Sequence, residues 1–168
     1  PRTGLGAAAA RGATRAVTVD ADGQHPAAEA RRLALSPAPA EALVLGIRDL
    51  RGAGAPRPNR ISTATSNGFL SALSRTWLSD PQRGLRRYPL PRTLELGGCD
   101  DGYAFEAEIL LLAIAGGVPV VEVPIEVLYP AERTTHFDSV RDPVRVVRRV
   151  VHVLARTRGI TRAARSST

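Results

Sequence analysis

The chain has 168 residues, 43% of them hydrophobic and 23% charged, which suits one globular domain with a sizeable core and argues against disorder. All 23 basic residues are arginine and outnumber 16 acids, so the net charge of +7 favours polyanionic partners: nucleotide diphosphates, lipid phosphates, anionic membrane faces or nucleic acid. Aromatic residues make up only 4%, too few for a platform that stacks single-stranded nucleic acid, and the lone Cys99 rules out an internal disulfide.

In chain order, the alanine-rich residues 5–16 predict a helix weakened near its end by Gly12. Val17 to Asp20 reads as a short strand, and Pro26 to Leu35 as a helix that opens on a proline. Leu43 to Ile47 is a second, buried strand. The Gly/Pro/Arg stretch 51–60 is a loop, Ile61 to Trp77 a helix, and Ser79 to Pro89 another loop. Ala104 to Ala115 predicts a strongly apolar helix stopped by Gly116 and Gly117. From Val118 to Leu128 the pattern alternates: Val121, Val123, Ile125 and Val127 share one face, Glu122, Pro124 and Glu126 the other. Pro124 cannot donate to a ladder, which places this strand at a sheet edge. Asp142 and Pro143 cap a last helix, whose Val144, Val147, Val151 and Leu154 form one stripe, with Arg141, Arg145, Arg148 and Arg149 elsewhere. Strands alternating with helices predict an α/β domain.

Apolar stretches are too short and too broken by glycine and proline to span a bilayer, which takes about 20 residues. The opening residues carry no secretory pattern, and the chain begins on Pro1, so it reads as a processed chain or a fragment of a longer protein.

The residues that bear most on chemistry are VTVDADGQHP, 17–26, where a strand ends on Asp20 and Asp22 with Gly23 between them and Gln24. Ligands bind at the carboxyl edge of open α/β sheets. Two carboxylates spaced i, i+2 there offer hard oxygen ligands to Mg²⁺ or Mn²⁺, which keep waters and accept phosphate oxygens as remaining ligands. Asp-Ala-Asp-Gly is equally a turn with a helix cap, because Asp and Gly dominate such turns. His25 stands open between a turn residue and a group beside a ligand.

VTVDADGQHP resembles the metal-binding segment of family 2 glycosyltransferases, in the branch of dolichyl- or polyprenyl-phosphate sugar synthases. Further motifs follow in the family's order. LVLGIR is similar to its strand ending in Gly-x-Arg, and LSDPQRGLRRYPL to its Asp-x-Gln-x-Gly-x-Arg loop. YAFEAEILLLAIAGGVPVVEVPIEVLYP resembles its Phe-Glu-x-Glu helix and Val-Pro strand, and ERTTHFDSVRDPVRVV its Arg-x-Ser-His-Phe segment. The likeness runs from the first glycines to Leu154. It implies a partial nucleotide-diphospho-sugar transferase fold (GT-A, Rossmann-like, with a central mixed sheet) over residues 1–154, followed by a basic tail over 155–168.

The resemblance implies a nucleotide-diphosphate sugar donor, a polyprenyl or dolichyl phosphate acceptor, Mg²⁺ or Mn²⁺ held by Asp20 and Asp22, and Gln24 close by. It places Arg48, Arg60 and Arg133 near the acceptor phosphate, where guanidinium forks bind oxygens bidentately. It puts Asp80 at the reacting centre, with Gln82, Gly84 and Arg86 shaping the loop. Glu106 and Glu108, two apart on a helix, do not share a face; Glu106 is expected to approach the sugar or brace the Asp80 loop while the other is solvated. His136 and Phe137 fall in the acceptor segment, where Thr135 replaces the usual serine, and Leu5 replaces a lysine of the family's Gly-Lys-Gly-Ala-Ala helix start. The family's first strand, its Pro-x-x-Asn-Glu turn and its second strand, which carries an aspartate, have no counterpart in this sequence.

The implied reaction is inverting transfer of the sugar to a lipid phosphate, at the cytoplasmic face of a membrane. A phosphate nucleophile is already ionised at pH 7, which accounts for the lack of a Ser-His-Asp or Cys-His arrangement. Two alternatives stand beside it: a noncatalytic basic remnant attracted to membranes or polyanions, and a same-fold transferase acting on a glycan, protein or diacylglycerol.

Overall fold

The computed structural model describes residues 1–48, 84–98 and 103–128. These form a mixed α/β unit in which helices cover both faces of a four-stranded sheet. The elements are α1 (Arg2–Ala10), β1 (Arg15–Thr18), α2 (Ala27–Ala34), β2 (Leu43–Arg48), β3 (Arg86–Pro89), α3 (Arg92–Glu95), α4 (Tyr103–Ala115) and β4 (Val120–Ile125).

Sheet order is β1-β3-β2-β4. β3 runs antiparallel to both β1 and β2, and β2 runs parallel to β4. β1, β2 and β4 therefore point the same way, and their carboxyl ends share one edge of the sheet. β4 lies at the border of the sheet among the described residues, with Pro124 registered against Ile47.

Alternation along the strands divides the core. Leu43, Leu45 and Tyr88 face α1 and α4, where they meet Leu5, Phe105, Ile109, Leu110 and Leu111. Val44 and Leu85 face the other way, with Leu33 of α2 and Ile125, and Val17, Val121, Val123 and Val127 pack around them. Each fully buried Leu, Ile or Phe contributes about 1.5–3 kcal/mol of transfer free energy. Among the described residues no helix is long and apolar enough to cross a membrane.

Local chemistry sets the boundaries. The first helix ends at Ala10 rather than 16, because Gly12 adopts a left-handed φ of 81° and closes the helix. Its N–H donates to the Ala9 carbonyl at 2.9 Å and that of Ala13 to Ala8 at 3.1 Å, the paired bonds of a glycine C-terminal cap. The first strand consequently starts early and spans Arg15–Thr18 instead of 17–20, which leaves Val19 exposed beyond it. α4 closes in the same manner: Gly117 has φ 70°, and Val118 N–H bonds the Ala113 carbonyl at 2.8 Å.

The largest departure is β3. Residues 86–89, expected within a loop, are a buried inner strand. Two arginines and a proline suggest a solvated segment, yet both guanidiniums find partners inside the protein. Arg87 donates from Nη1 to the Ser36 carbonyl at 2.9 Å and from Nη2 to Ala38 and Pro39 at 2.9 and 2.8 Å. Burial, and secondarily the neighbouring Arg15, pulls the Arg87 pKa below the ordinary guanidinium value. Pro89 sits at the strand's end opposite Arg15, and burial beside it pushes the Tyr88 hydroxyl pKa up. The expectation for α4 also needs correction: Glu106 and Glu108 are both buried, so neither is the solvated member of the pair.

Candidate functional site

The carboxyl edge of the sheet collects the chemistry. Asp20 lies two residues beyond β1, Arg48 is the last residue of β2, and Gly84 and Leu85 lead into β3. Segment 19–26 leaves β1 along this edge and is tied beyond β4, where Leu128 N–H donates to the Gln24 carbonyl at 2.9 Å. α2 continues the segment and holds that end. Its Glu29 carboxylate accepts from Arg32 at 2.6 Å and from the Glu126 N–H at 3.3 Å, and Arg32 also donates to the Pro124 carbonyl. The Arg32 hydrogen bonds hold the Glu29 carboxyl below its ordinary range against the opposing effect of burial.

Asp20 and Gly84 are in intimate contact. A Cβ added to Gly84 would stand 2.0 Å from Asp20 Oδ1, 2.2 Å from its Cγ and 2.3 Å from Oδ2. The same glycine is fixed from β1, because Thr18 Oγ1 donates to its carbonyl at 2.8 Å across 66 residues of sequence. Asp20 is half-buried, and its carboxylate has no hydrogen-bond or ion-pair partner among the described residues. Asp22 is exposed and accepts the Gln24 N–H on Oδ1 at 3.0 Å, so it does form a turn. A carboxylate accepts through both oxygens, so this bond leaves Asp22 able to ligate. His25, behind the turn, is buried.

Beneath the edge, Glu106 binds Arg86. Arg86 Nη2 lies 3.5 Å from Glu106 Oε2, and its Nη1 donates to the Glu106 carbonyl at 2.7 Å. Arg86 is registered against Thr18, the residue that grips Gly84. Glu106 thus holds the start of β3, two residues after Gly84.

The structure brings Asp20, Asp22, Gln24, the backbone of Arg48 and the Gly84 approach to one edge, with Glu106 packed under it. Asp80, Gln82, Arg60 and Arg133, together with Thr135, His136 and Phe137, lie outside the described residues. Thr18 and Arg87 were not legible as contributors. A threonine within a strand carries no signal, and the adjacent arginines of RRYP suggest solvent rather than an inner strand.

Among the described residues no three His, Cys, Asp or Glu side chains gather to hold a metal by themselves. The donor set nevertheless fits Mg²⁺ or Mn²⁺ taken up with a diphosphate, a mode that needs only one or two protein carboxylates beside water and phosphate oxygens. Compared with known proteins, the chain matches no family model, no curated protein and no solved structure.

Proposed function

We propose that the chain carries a metal-dependent, inverting glycosyltransferase domain of the GT-A kind, moving a sugar from a nucleotide diphosphate to a polyprenyl or dolichyl phosphate at the cytoplasmic face of a membrane. The observation that carries this reading is the seat of Asp20 on Gly84. It joins the Asp-Ala-Asp segment to the end of the Asp-Pro-Gln-Arg-Gly loop, two motifs distant in sequence that this chemistry needs side by side.

Asp20 and Asp22 hold Mg²⁺ or Mn²⁺, with Gln24 beside them. When bound, the metal neutralises negative charge developing on the departing nucleoside diphosphate. Arg48 stands at the same edge through its strand, and with Arg60 and Arg133 it takes the acceptor phosphate. Asp80 orients the reacting sugar, and Glu106 supports the loop through Arg86. Because the acceptor oxygen is ionised at neutral pH, catalysis rests on positioning and charge compensation rather than on a strong base.

Calorimetric titration of UDP-glucose and GDP-mannose tests this, with Mn²⁺ and with EDTA, on the wild type and on Asp20→Ala/Asp22→Ala. Saturable binding that requires both metal and aspartates is the expected result. Binding that ignores EDTA and the substitutions, or no binding with any N-terminal extension of the chain, overturns it.

A further inference from the structure

Gly84 has no side chain and the Thr18 hydroxyl is engaged on the Gly84 carbonyl, yet Gly84 directly and Thr18 through it bear on Asp20. We infer that they form a seat that fixes the Asp20 carboxylate for metal binding, making Gly84 a positioning residue whose lack of a side chain is its function. The inference rests on the metal role proposed for Asp20.

Three observations carry it. All three atoms of the Asp20 carboxyl group fall within 2.3 Å of the place a Gly84 Cβ would occupy, so any side chain at 84 displaces the carboxylate. The Gly84 carbonyl is held by Thr18 Oγ1 at 2.8 Å, so the seat cannot retreat while that bond stands. Gly84 is not among the glycines with a left-handed φ, so alanine there suffers no backbone strain. The conflict falls on the end of one side chain, which rotates away, rather than on the backbone. Gly84→Ala should therefore spare the fold and misplace one ligand. Groups that orient metal ligands without touching the metal typically govern affinity by about 10- to 100-fold.

The test has two arms on the whole chain. The first titrates Mn²⁺ in the presence of UDP or GDP, reading free Mn²⁺ by electron paramagnetic resonance against a protein-free blank, into wild type, Asp20→Asn, Gly84→Ala, Thr18→Val and Thr18→Ser. Expected are a loss of about tenfold or more in Gly84→Ala, a smaller loss in Thr18→Val, and wild-type affinity in Thr18→Ser, which keeps the hydroxyl. The second arm measures urea unfolding of Gly84→Ala in the wild type and in Asp20→Ala. Any destabilisation by Gly84→Ala should vanish once the carboxylate is gone, a non-additivity that a merely structural glycine would not show. Mn²⁺ binding that needs Asp20 but ignores Gly84→Ala overturns the seat and leaves the proposed function standing. No Mn²⁺ binding by wild type even with UDP or GDP present overturns the metal role and the seat's function with it, and a destabilisation by Gly84→Ala that persists undiminished in Asp20→Ala refutes the contact itself.

Discussion

Arg86 and Glu106 face each other across the buried interface between β3 and α4, with Arg86 Nη2 3.5 Å from the carboxylate and Nη1 2.7 Å from the same residue's carbonyl. The two side chains are 1% and 9% exposed, so little water screens the pair. Removing one partner strands the other's charge, whereas replacing both with apolar groups need not be costly. Glu106→Ala should lose about 3 kcal/mol or more of stability. Arg86→Met combined with Glu106→Leu should recover most of it, as read from urea midpoints. A loss in the double variant equal to the sum of the losses in Arg86→Met and Glu106→Leu would show that the pair is not coupled.

Arg87 makes a different bargain. Its three carbonyl acceptors, Ser36, Ala38 and Pro39, belong to the connection between α2 and β2, so it staples that connection to the sheet through Val17 and Val44, its register partners. Hydrogen bonds from a charged donor are worth about 1.5–3 kcal/mol each, before the cost of burying the cation is set against them. Arg87→Leu should leave three carbonyls without their donor and lower stability by about 2–4 kcal/mol. Arg87→Lys should rescue little, because one ammonium on a flexible stem cannot span the three acceptors of a planar fork. Hydrogen exchange at residues 36–45 should accelerate in both variants.

Acid should loosen the α2–β4 junction. The folded Glu29 carboxyl is held below its ordinary range, chiefly by the Arg32 hydrogen bonds. Its stabilising contribution is thus complete above the unfolded pKa and disappears as pH falls through the folded one. Wild type should exceed Glu29→Gln in Tm at pH 7, with the gap closing towards pH 3. Arg32 is 49% exposed, so solvent screening should keep the neutral-pH difference within about 1 kcal/mol. A gap that widens on acidification would reverse the assigned sign.

How far the sequence reveals this molecule depends on what each residue type can signal. The alternation of Val121, Val123, Ile125 and Val127 correctly marks one face of β4, and Gly116-Gly117 marks the end of α4, because both follow from local geometry. The pair Asp20 and Asp22 and the glycine of the following loop are legible as motifs, and the fold sets Asp20 against Gly84. β3 was hidden, since its guanidiniums donate to a helix carbonyl and carboxylate at 106 and to three carbonyls at 36–39, partners no local pattern announces. Glu108 was hidden for a related reason: charge implies solvent unless the tertiary surroundings are known, and α4 is enclosed at Phe105 to Leu111.

Gly46 links the sheet's interior to the candidate site. A Cβ there would meet Ile125 Cδ1 and the Leu85 carbonyl, each at 3.0 Å, and the Gly46 N–H donates to that carbonyl at 3.0 Å. Ile125 can yield by changing rotamer, but the carbonyl can move only by shifting the backbone next to Gly84. Gly46→Ala should cost about 1–3 kcal/mol, as overpacking commonly does. Ile125→Val should lose less stability in the Gly46→Ala background than in wild type, because the shorter side chain relieves half of the clash. The Leu85 half should persist, so Mn²⁺ affinity in Gly46→Ala/Ile125→Val should stay below that of Ile125→Val alone. Full recovery of affinity in the double variant would show that Leu85 does not transmit the displacement to the seat of Asp20.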